Sequence, residues 1–364
     1  MATFRVRTDP YGTTADGSTV TRTELLAPDG SGVALLNLGA AVTEVRVPDA
    51  CGALANVVLA HRDLTGYLAN APYFGVVVGR CANRIGGAAF DLDGRRHALA
   101  PNEGRNQLHG GPGGFHARVW TLDDGATVAD DERAAVTLRL VSEDGDQGYP
   151  GRLEAAVTIA WTARHELDLT FEARSDAPTP VNLAHHGYWN LAGEGSGTVD
   201  DQHLSVRADA YLPVDAEHLP TGEVRPVAGS PFDLRGATRL GDVLRADDPQ
   251  VAGAKGIDHC FVLARGDAAA DSLVEATVVH DPGSGRTLRL RTSEPGLQVY
   301  AGGYLDGTLV GPSGRRSRQG DGLALEPQCF PDALRHPHFP SVVLRPGEVY
   351  RQRSVFELTV DPRP

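Results

Sequence analysis

The densest cluster of chemically capable side chains lies at residues 181–193 (VNLAHHGYWNLAG), where histidines stand beside amides and aromatic rings. Aromatic rings can stack on the apolar C–H face of a sugar, while imidazole and amide groups bind its hydroxyls. Neighbouring residues of an extended strand point to opposite faces. His185 and His186 therefore cannot both face one pocket, and we expect one of them to be structural. The same geometry argues against a zinc site formed by this pair.

A carboxylate, Glu326, follows an apolar run in LALEPQCFPDA, residues 323–333, directly before a proline. We expect it to be half-buried at the end of a strand, where desolvation raises the pKa of a carboxyl toward neutrality. A general base that works at neutral pH needs such a pKa. A strand-end acid in a salt bridge is the alternative interpretation. Asp258 in GIDHCFVL and Gln298 in PGLQVYAGG are polar residues at similar strand edges.

Two further motifs place polar donors next to apolar runs. GRCANRI, residues 79–85, follows YFGVVV, and its arginine and asparagine offer fixed donors to a hydroxylated or anionic ligand. A surface turn with a salt bridge is the competing interpretation. NQLHGG, residues 106–111, places His109 before two glycines, so the backbone there can approach a ligand closely. A lone histidine is, however, more often a structural donor.

The elements that must position these groups are predicted to be β-strands. Apolar and polar residues alternate with period two at residues 134–142, 152–163, 166–174 and 272–279, which puts one face of each strand in the core. Turn sequences follow at strand-like intervals, at 93–94, 282–285 and 345–348. Helical periodicity is scarce, and its best candidate lies near 61–68. The pattern predicts an all-β fold, one large antiparallel β-sandwich domain spanning residues 1–364.

Composition narrows the class of protein. The formal net charge is −13, which argues against a nucleic-acid partner or an anionic membrane surface. Four cysteines, Cys51, Cys81, Cys260 and Cys329, are far apart and form no CxxC, so we expect reduced core thiols. The first ten residues contain no apolar run, and no stretch approaches the roughly 20 apolar residues of a membrane helix. We therefore expect a soluble cytoplasmic protein without a signal peptide.

Taken in order, the motifs resemble those of the galactose mutarotase (aldose 1-epimerase) family. GRCANRI resembles the family's GR-x-ANRI, NQLHGG its N-x-LHGG, DQGYPG its GYPG, and VNLAHHGYWNLAG its VNLTNH-x-Y-F/W-NLAG. The segments YLPVDAEHLPTGEVRPV, PFDLR, GIDHCFVL, PGLQVYAGG, LALEPQCFPDA and LRPGE complete the series, which spans about residues 73–348. So many motifs in the right order make a stronger signal than any one of them.

The resemblance implies a large twisted β-sandwich with an open cleft that interconverts the α and β anomers of free aldohexoses, such as galactose and glucose. It implies His186 as the catalytic acid and Glu326 as the base, with no metal and no cofactor. The sugar contacts that it implies are Asn83, Arg84, His109, Tyr188, Asp258 and Gln298. The expected partner is the small hexose alone, bound by a monomer or homodimer. The sequence departs from the family pattern at His185, where asparagine is usual, and at Gly187, where serine or threonine is usual.

Three other functions compete with this interpretation. A hexose-6-phosphate epimerase would want several arginines around its phosphate, and Arg84 alone gives little support. A non-catalytic carbohydrate-binding sandwich could keep the aromatics but has no reason to keep both His186 and Glu326. A glycosidase needs two carboxylates flanking the scissile bond. Asp258 and Glu326 could serve, but the histidines would then have no task.

Overall fold

The computed structural model describes residues 3–69 and 72–361, most of which form antiparallel β-sheets. The largest sheet has ten strands, with Val128–Ala129 pairing beside Arg133–Ser142. The other nine strands pair in the order Thr121–Leu122, Arg133–Ser142, Leu153–Thr162, Glu166–Ser175, Tyr350–Val360, Arg286–Thr292, Val274–His280, His203–Val206 and Thr238–Arg239.

Two further sheets complete the main body of the fold. A six-stranded sheet has the order Tyr188–Trp189, Leu323–Gln328, Gly296–Tyr300, Asp258–Leu263, Ala208–Leu212 and Arg225–Pro226. A five-stranded sheet runs in chain order through Arg5–Thr13, Thr19–Leu26, Gly32–Leu36, Val42–Pro48 and Leu54–Asn56.

Short ribbons and helices connect these sheets. The two-stranded ribbons are Val77–Val78 with Ala184–His185, Arg84–Ile85 with Gln107–Leu108, Ala89–Leu92 with Arg95–Ala98, Thr179–Pro180 with Val343–Leu344, and Asp306–Val310 with Arg316–Arg318. The α-helices are Leu64–Ala69, Leu240–Leu244 and Pro249–Ala254. The 3₁₀ turns are Gly86–Ala88, Phe115–Ala117, Asp124–Ala126, Asp146–Gly148 and Ala333–Arg335. No helix within the described residues is both long and apolar enough to cross a membrane.

The main core lies between the six-stranded and the ten-stranded sheet. Trp189 of the first sheet stacks on Phe356 of the second, with ring centroids 5.1 Å apart. Alternate residues of the six-stranded sheet enter this core, among them Leu297, Val299, Leu323 and Leu325. Since side chains alternate along a strand, the residues between them point away from the core. One face of this sheet is thus free to build a site.

The predicted all-β antiparallel fold is confirmed. The four alternating runs form the strands Arg133–Ser142, Leu153–Thr162, Glu166–Ser175 and Val274–His280, and the helix expected near 61–68 is Leu64–Ala69. The cysteine expectation needs one correction. All four thiols are free and three are buried, but Cys51 is exposed, because it lies in the turn between strands Val42–Pro48 and Leu54–Asn56.

One arginine of GRCANRI serves the fold rather than a ligand. Arg80 is buried, and its guanidinium donates to Ser142, Glu143, Pro150 and Thr179 at distances of 2.9–3.2 Å. These acceptors come from separate loops and strands, and the buried ones, on Ser142 and Thr179, would lose this donor if the side chain were lost. Arg80 therefore fastens the segment that leads to Asn83 and Arg84.

Candidate active site

A cavity of about 310 Å³ opens on the free face of the six-stranded sheet. Its size is at the small end for a ligand site. The lining combines carboxylates, imidazoles, tyrosines and a few aliphatic side chains. It consists of Pro72, Tyr73, Asn83, Arg84, Glu103, Leu108, His109, His186, Tyr188, Asp258, Tyr300, Tyr304, Leu305, Asp306, Thr308, Leu309 and Glu326.

Strand register places the acidic and amide groups of the site next to one another. Glu326 pairs with Gln298, and Gln298 pairs with Cys260 on the next strand. Asp258 pairs with Tyr300; Asp258 lies two residues from Cys260 on its strand, and Tyr300 lies two residues from Gln298. Residues two apart on a strand share a face. All of these side chains therefore lie on the face opposite the main core.

Glu326 does not end its strand, contrary to the expectation. Strand Leu323–Gln328 continues for two residues, and Glu326 is buried rather than half-buried. Proline is tolerated at 327 because the neighbouring strand Tyr188–Trp189 pairs only with residues 323 and 324. Beyond that point the strand is an edge on that side, where a missing N–H costs no ladder bond.

His186 comes from a different part of the fold. Backbone hydrogen bonds hold it in place, and the side-chain amide of Asn182, referred to below as the Asn182 clamp, joins its segment to the six-stranded sheet. Its backbone N–H donates to Val76 at 2.9 Å, and its carbonyl accepts from Gly75 at 3.0 Å. Four residues earlier, the Asn182 side chain donates to the Cys329 carbonyl at 3.2 Å and accepts the Cys329 N–H at 2.9 Å. Cys329 lies three residues after Glu326. This two-way bond joins the segment of His186 to the strand of Glu326.

His186 and Glu326 meet at the cavity wall, with Nε2 of the imidazole 3.6 Å from Oε1 of the carboxyl. Both side chains are buried. Burial raises the pKa of Glu326 well above the ordinary value, and the charge of Asp258 raises it further while Arg84 opposes the shift. Burial also lowers the pKa of His186 to about 3. A carboxylate with a raised pKa is a stronger base, and an imidazolium with a lowered pKa is a stronger acid.

His109 presents a defined tautomer to this pair. Its Nδ1 accepts the backbone N–H of Asn83 at 3.1 Å, so in the neutral ring the proton is on Nε2. Burial, with the neighbouring His186 and Arg84, lowers the pKa of His109 well below the ordinary value, which keeps the ring neutral. The motif suggested that the glycine after His109 lets the backbone approach a ligand, but Gly110 does not line the cavity. A Cβ on Gly110 would lie 1.9 Å from the carbonyl oxygen of Gly79, so chain packing requires this glycine.

Arg84, the first residue of the ribbon strand Arg84–Ile85, and Asn83 just before that strand both line the cavity. Nε and Nη2 of Arg84 donate to Glu103 at 2.6 and 2.8 Å. The side chain of Asn83 accepts the N–H of Arg84 at 2.9 Å, which holds the turn in place. Glu103 was not predicted from the sequence. It stands only three residues before NQLHGG, but no local pattern indicates which arginine it meets.

Asp258 and Gln298 act as a pair, with Gln298 lying behind Asp258. Asp258 lines the cavity, and the Gln298 amide donates to its Oδ1 at 2.6 Å. Burial raises the pKa of Asp258, whereas the charge of Arg84 and the Gln298 hydrogen bond lower it. Gln298 is thus placed to orient the carboxyl that faces the cavity.

Tyrosines form the apolar wall of the cavity. Tyr188 lies beside His186 with ring centroids 5.0 Å apart, and its hydroxyl donates to the Pro72 carbonyl at 3.0 Å. Tyr73 contacts both His109 and His186, at 4.6 and 5.8 Å between centroids. Sequence reasoning missed Tyr73 and Tyr300. Tyr300 could have been found, because it stands two residues after Gln298 and must share its face.

Within the cluster at 181–193, only His186 and Tyr188 line the cavity. The motif also offered sugar donors and a stacking group in Asn182, Asn190 and Trp189. These three side chains serve the fold instead. Asn190 donates to the carbonyls of Gly197 and Asp321 at 2.8 and 2.9 Å. The cluster is dense because one segment serves both the site and the core.

The two departures from the family pattern depend on each other. His185 points away from the cavity and packs against Phe356, with ring centroids 6.3 Å apart. A Cβ on Gly187 would lie 2.5 Å from Cε1 of the His185 ring. The ring is buried at 3% exposure and packed against Phe356, so any shift that makes room for a Cβ disturbs the core. Histidine at 185 therefore requires glycine at 187.

Three ligand atoms, from His109, His186 and Glu326, lie within 4.8 Å of one another. Two imidazoles and a carboxylate form a ligand set that catalytic zinc sites use. Nε2 of His109 is available, since its Nδ1 is engaged by Asn83. This set differs from the His185–His186 pair considered above, and the prediction of a metal-free site stays a prediction that chelation can test.

Known proteins resemble this chain over nearly its whole length. The model of the aldose 1-epimerase family matches residues 22–357. A galactose mutarotase from Sus scrofa is 40% identical over 353 residues, 96% of this chain and 97% of that protein. The aldose 1-epimerase of Escherichia coli K12 is 36% identical, covering 93% and 99% of the two chains. The solved galactose 1-epimerase structure from Lactobacillus acidophilus has a TM-score of 0.86 at 28% identity, covering 98% of this chain and 99% of that one.

Gly187→Ser is expected to destabilise the protein by about 1–3 kcal/mol, because the added atoms overlap the buried His185 ring. In a His185→Asn background the same change should cost less than about 1 kcal/mol, so the two substitutions are coupled. Urea unfolding of the single and double variants measures this coupling. Gly236→Ser is the matched control, since Gly236 is exposed and has nothing within 4 Å of its Cβ position. Equal costs at 187 in both backgrounds would show that the ring does not set the requirement.

Proposed function

Because this chain belongs to the aldose 1-epimerase family, we propose that its cavity interconverts the α and β anomers of free aldohexoses with Glu326 as the base and His186 as the acid. The family match confirms the resemblance seen in the motif order and makes the protein an isomerase. The observation that supports the residue assignment is the buried pair, a carboxyl and an imidazole 3.6 Å apart on the cavity wall.

The reaction needs two coupled proton transfers. Glu326 takes the proton of the anomeric hydroxyl while His186 protonates the ring oxygen, and the bond between C1 and the ring oxygen breaks. The product is the open-chain aldehyde. Rotation about C1–C2 presents the other carbonyl face, and the two transfers run in reverse to close the ring. Each transfer contributes roughly 10²–10⁴-fold when the group is well positioned.

Burial strengthens both partners for these roles. The carboxylate is a stronger base and the imidazolium a stronger acid than either would be in water, because each charged form is poorly solvated. The cost is that the ion pair is rare in the free protein. We propose that sugar hydroxyls lying between the two groups supply the hydrogen bonds that stabilise the charged pair. Proton transfer through the sugar then leaves no net charge.

The remaining lining residues hold the sugar. His109 presents Nε2–H and Arg84 presents Nη1. We propose that both donate to the oxygen that becomes the carbonyl and stabilise the negative charge that develops on it. Asp258, oriented by Gln298, accepts hydrogen bonds from sugar hydroxyls. The Tyr188 ring offers the apolar surface on which a sugar ring packs.

The charge of the cavity argues against the 6-phosphate alternative. Among the described lining residues Arg84 is the one arginine or lysine, and Glu103 already binds two of its nitrogens. A phosphate site would need several free donors. A glycosidase is also less well supported, because it would use Asp258 and Glu326 as its two carboxylates and leave His186, 3.6 Å from Glu326, without a task.

Polarimetry of freshly dissolved α-D-galactose tests the proposal. The protein should accelerate the approach to anomeric equilibrium at micromolar or lower concentration, and kcat/KM for glucose 6-phosphate should be much lower than for glucose. A rate equal to that of the buffer would contradict the function. Comparable values for glucose and its 6-phosphate would contradict the substrate class.

Glu326→Gln and His186→Ala should each lower kcat/KM by about 10²–10⁴-fold, because each removes one of the two proton transfers. The double variant should be barely worse than either single variant, since groups that act as a unit are strongly non-additive. His185→Asn is the control and should keep most activity. Near-full activity in Glu326→Gln, or a loss in His185→Asn as deep as in His186→Ala, would place the base or the acid elsewhere.

Removal of divalent ions should leave the rate of mutarotation unchanged, because two proton transfers are sufficient for the reaction. Dialysis against EDTA followed by polarimetry measures this. A loss that zinc restores would show that His109, His186 and Glu326 act as metal ligands instead.

A further inference from the structure

The charge balance of the cavity points to a residue that selects its substrates. Four carboxyl side chains line it, at Glu103, Asp258, Asp306 and Glu326, against the single guanidinium of Arg84. An anionic sugar would need Arg84 as its partner. What Arg84 already binds therefore decides whether such a sugar can be held.

Glu103 occupies one whole edge of the Arg84 guanidinium. Its two oxygens accept from Nε at 2.6 Å and from Nη2 at 2.8 Å, the bidentate geometry in which carboxylates bind arginine most strongly. Arg84 is only 8% exposed, while the Glu103 side chain is 38% exposed and reaches the cavity surface. Nη1 is left to donate to a bound sugar. A second carboxylate or a phosphate finds the paired edge taken and the positive charge neutralised.

We propose that Glu103 is a specificity-determining residue that restricts this site to uncharged sugars by occupying the bidentate edge of Arg84. The inference rests on the proposed function, since it names the substrate class of the same site. It concerns a different residue from those of the reaction, because Glu103 takes no part in the proton transfers.

The backbone around Glu103 does not depend on its carboxylate. Glu103 and Asn106 exchange backbone hydrogen bonds of 3.2 and 2.9 Å, which close the turn before strand Gln107–Leu108. That strand pairs directly with Arg84, through Leu108. Alanine at 103 should therefore leave Arg84 on the cavity wall with its bidentate edge free, and glutamine should leave the positive charge of Arg84 without its neutralising partner. Burial raises the pKa of Asp258, and the negative charge of Glu103 adds to this shift, consistent with its position on the cavity lining.

The experiment compares two sugars that differ at one carbon, α-D-galactose and α-D-galacturonic acid, in the wild-type protein and in Glu103→Gln. Polarimetry gives kcat/KM for each sugar, and titration calorimetry gives each affinity without relying on turnover. The ratio of kcat/KM for galacturonate to kcat/KM for galactose should rise about tenfold to a hundredfold in the variant. A newly available hydrogen bond to a charged group supplies this range. Glu103→Ala should show a rise in the same direction.

Glu217→Gln is the matched control. Glu217 also binds an arginine through both oxygens, Arg105 at 2.7 and 3.0 Å, but both side chains lie outside the cavity lining. The galacturonate-to-galactose ratio of kcat/KM in Glu217→Gln should stay within about twofold of the wild-type ratio, because no charge near the sugar changes. An unchanged or lower ratio in the two Glu103 variants, or an equal loss on both sugars, would reduce Glu103 to a structural partner of Arg84 and overturn the proposal. A wild type that binds galactose without accelerating its mutarotation would instead contradict the proposed function, while the calorimetric ratio still tests Glu103.

Discussion

Glu326 and His186 lie 3.6 Å apart in a place where water has little access to either, and the rest of the site depends on that shared burial. Removing a carboxyl and an imidazole from water disfavours the charged form of each. The pKa of Glu326 is therefore raised and the pKa of His186 is lowered relative to their values in solution. Two such groups at the surface would have ordinary pKa values and weaker reactivity. The desolvation is expensive, and a stable fold must compensate for it.

The compensation comes from the two-sided use of the six-stranded sheet. Leu323 and Leu325 enter the main core on one face, and Glu326, the next residue along the strand, lies on the other. The strand that carries Glu326 is thus held by apolar packing on the face opposite the cavity. The Asn182 clamp on Cys329 then joins the separate segment of His186 to this strand. A residue that a sequence motif offers as a sugar donor thus holds together the two segments that carry His186 and Glu326.

Much of this could be read from the sequence, and the failures have physical causes. Period-two alternation located the long strands, because one buried face leaves a pattern in the chain itself. His186 and Glu326 were assigned from motif order, and alternation separated His186 from His185. Glu103 and Tyr73 were missed because their roles depend on contacts across many residues. The strand continues past Pro327, unlike the prediction, because whether a proline interrupts a strand depends on which neighbour pairs there, and that is a property of the sheet.

The protonation state of His186 in the free protein reports whether burial controls the charge of the pair. Histidine-selective ¹⁵N labelling, with the signal assigned by its loss in His186→Asn, reports the charge of the ring as the pH falls from 8 to 5. The ring should stay neutral through about pH 5, because burial lowers its pKa to about 3, whereas an exposed histidine is half-charged near about pH 6.5. Glu326, whose pKa burial raises, would then be the group of the pair that takes up a proton first as the pH falls. A ring that titrates near its ordinary pKa while the protein remains folded would show that the site is solvated, and it would contradict the account.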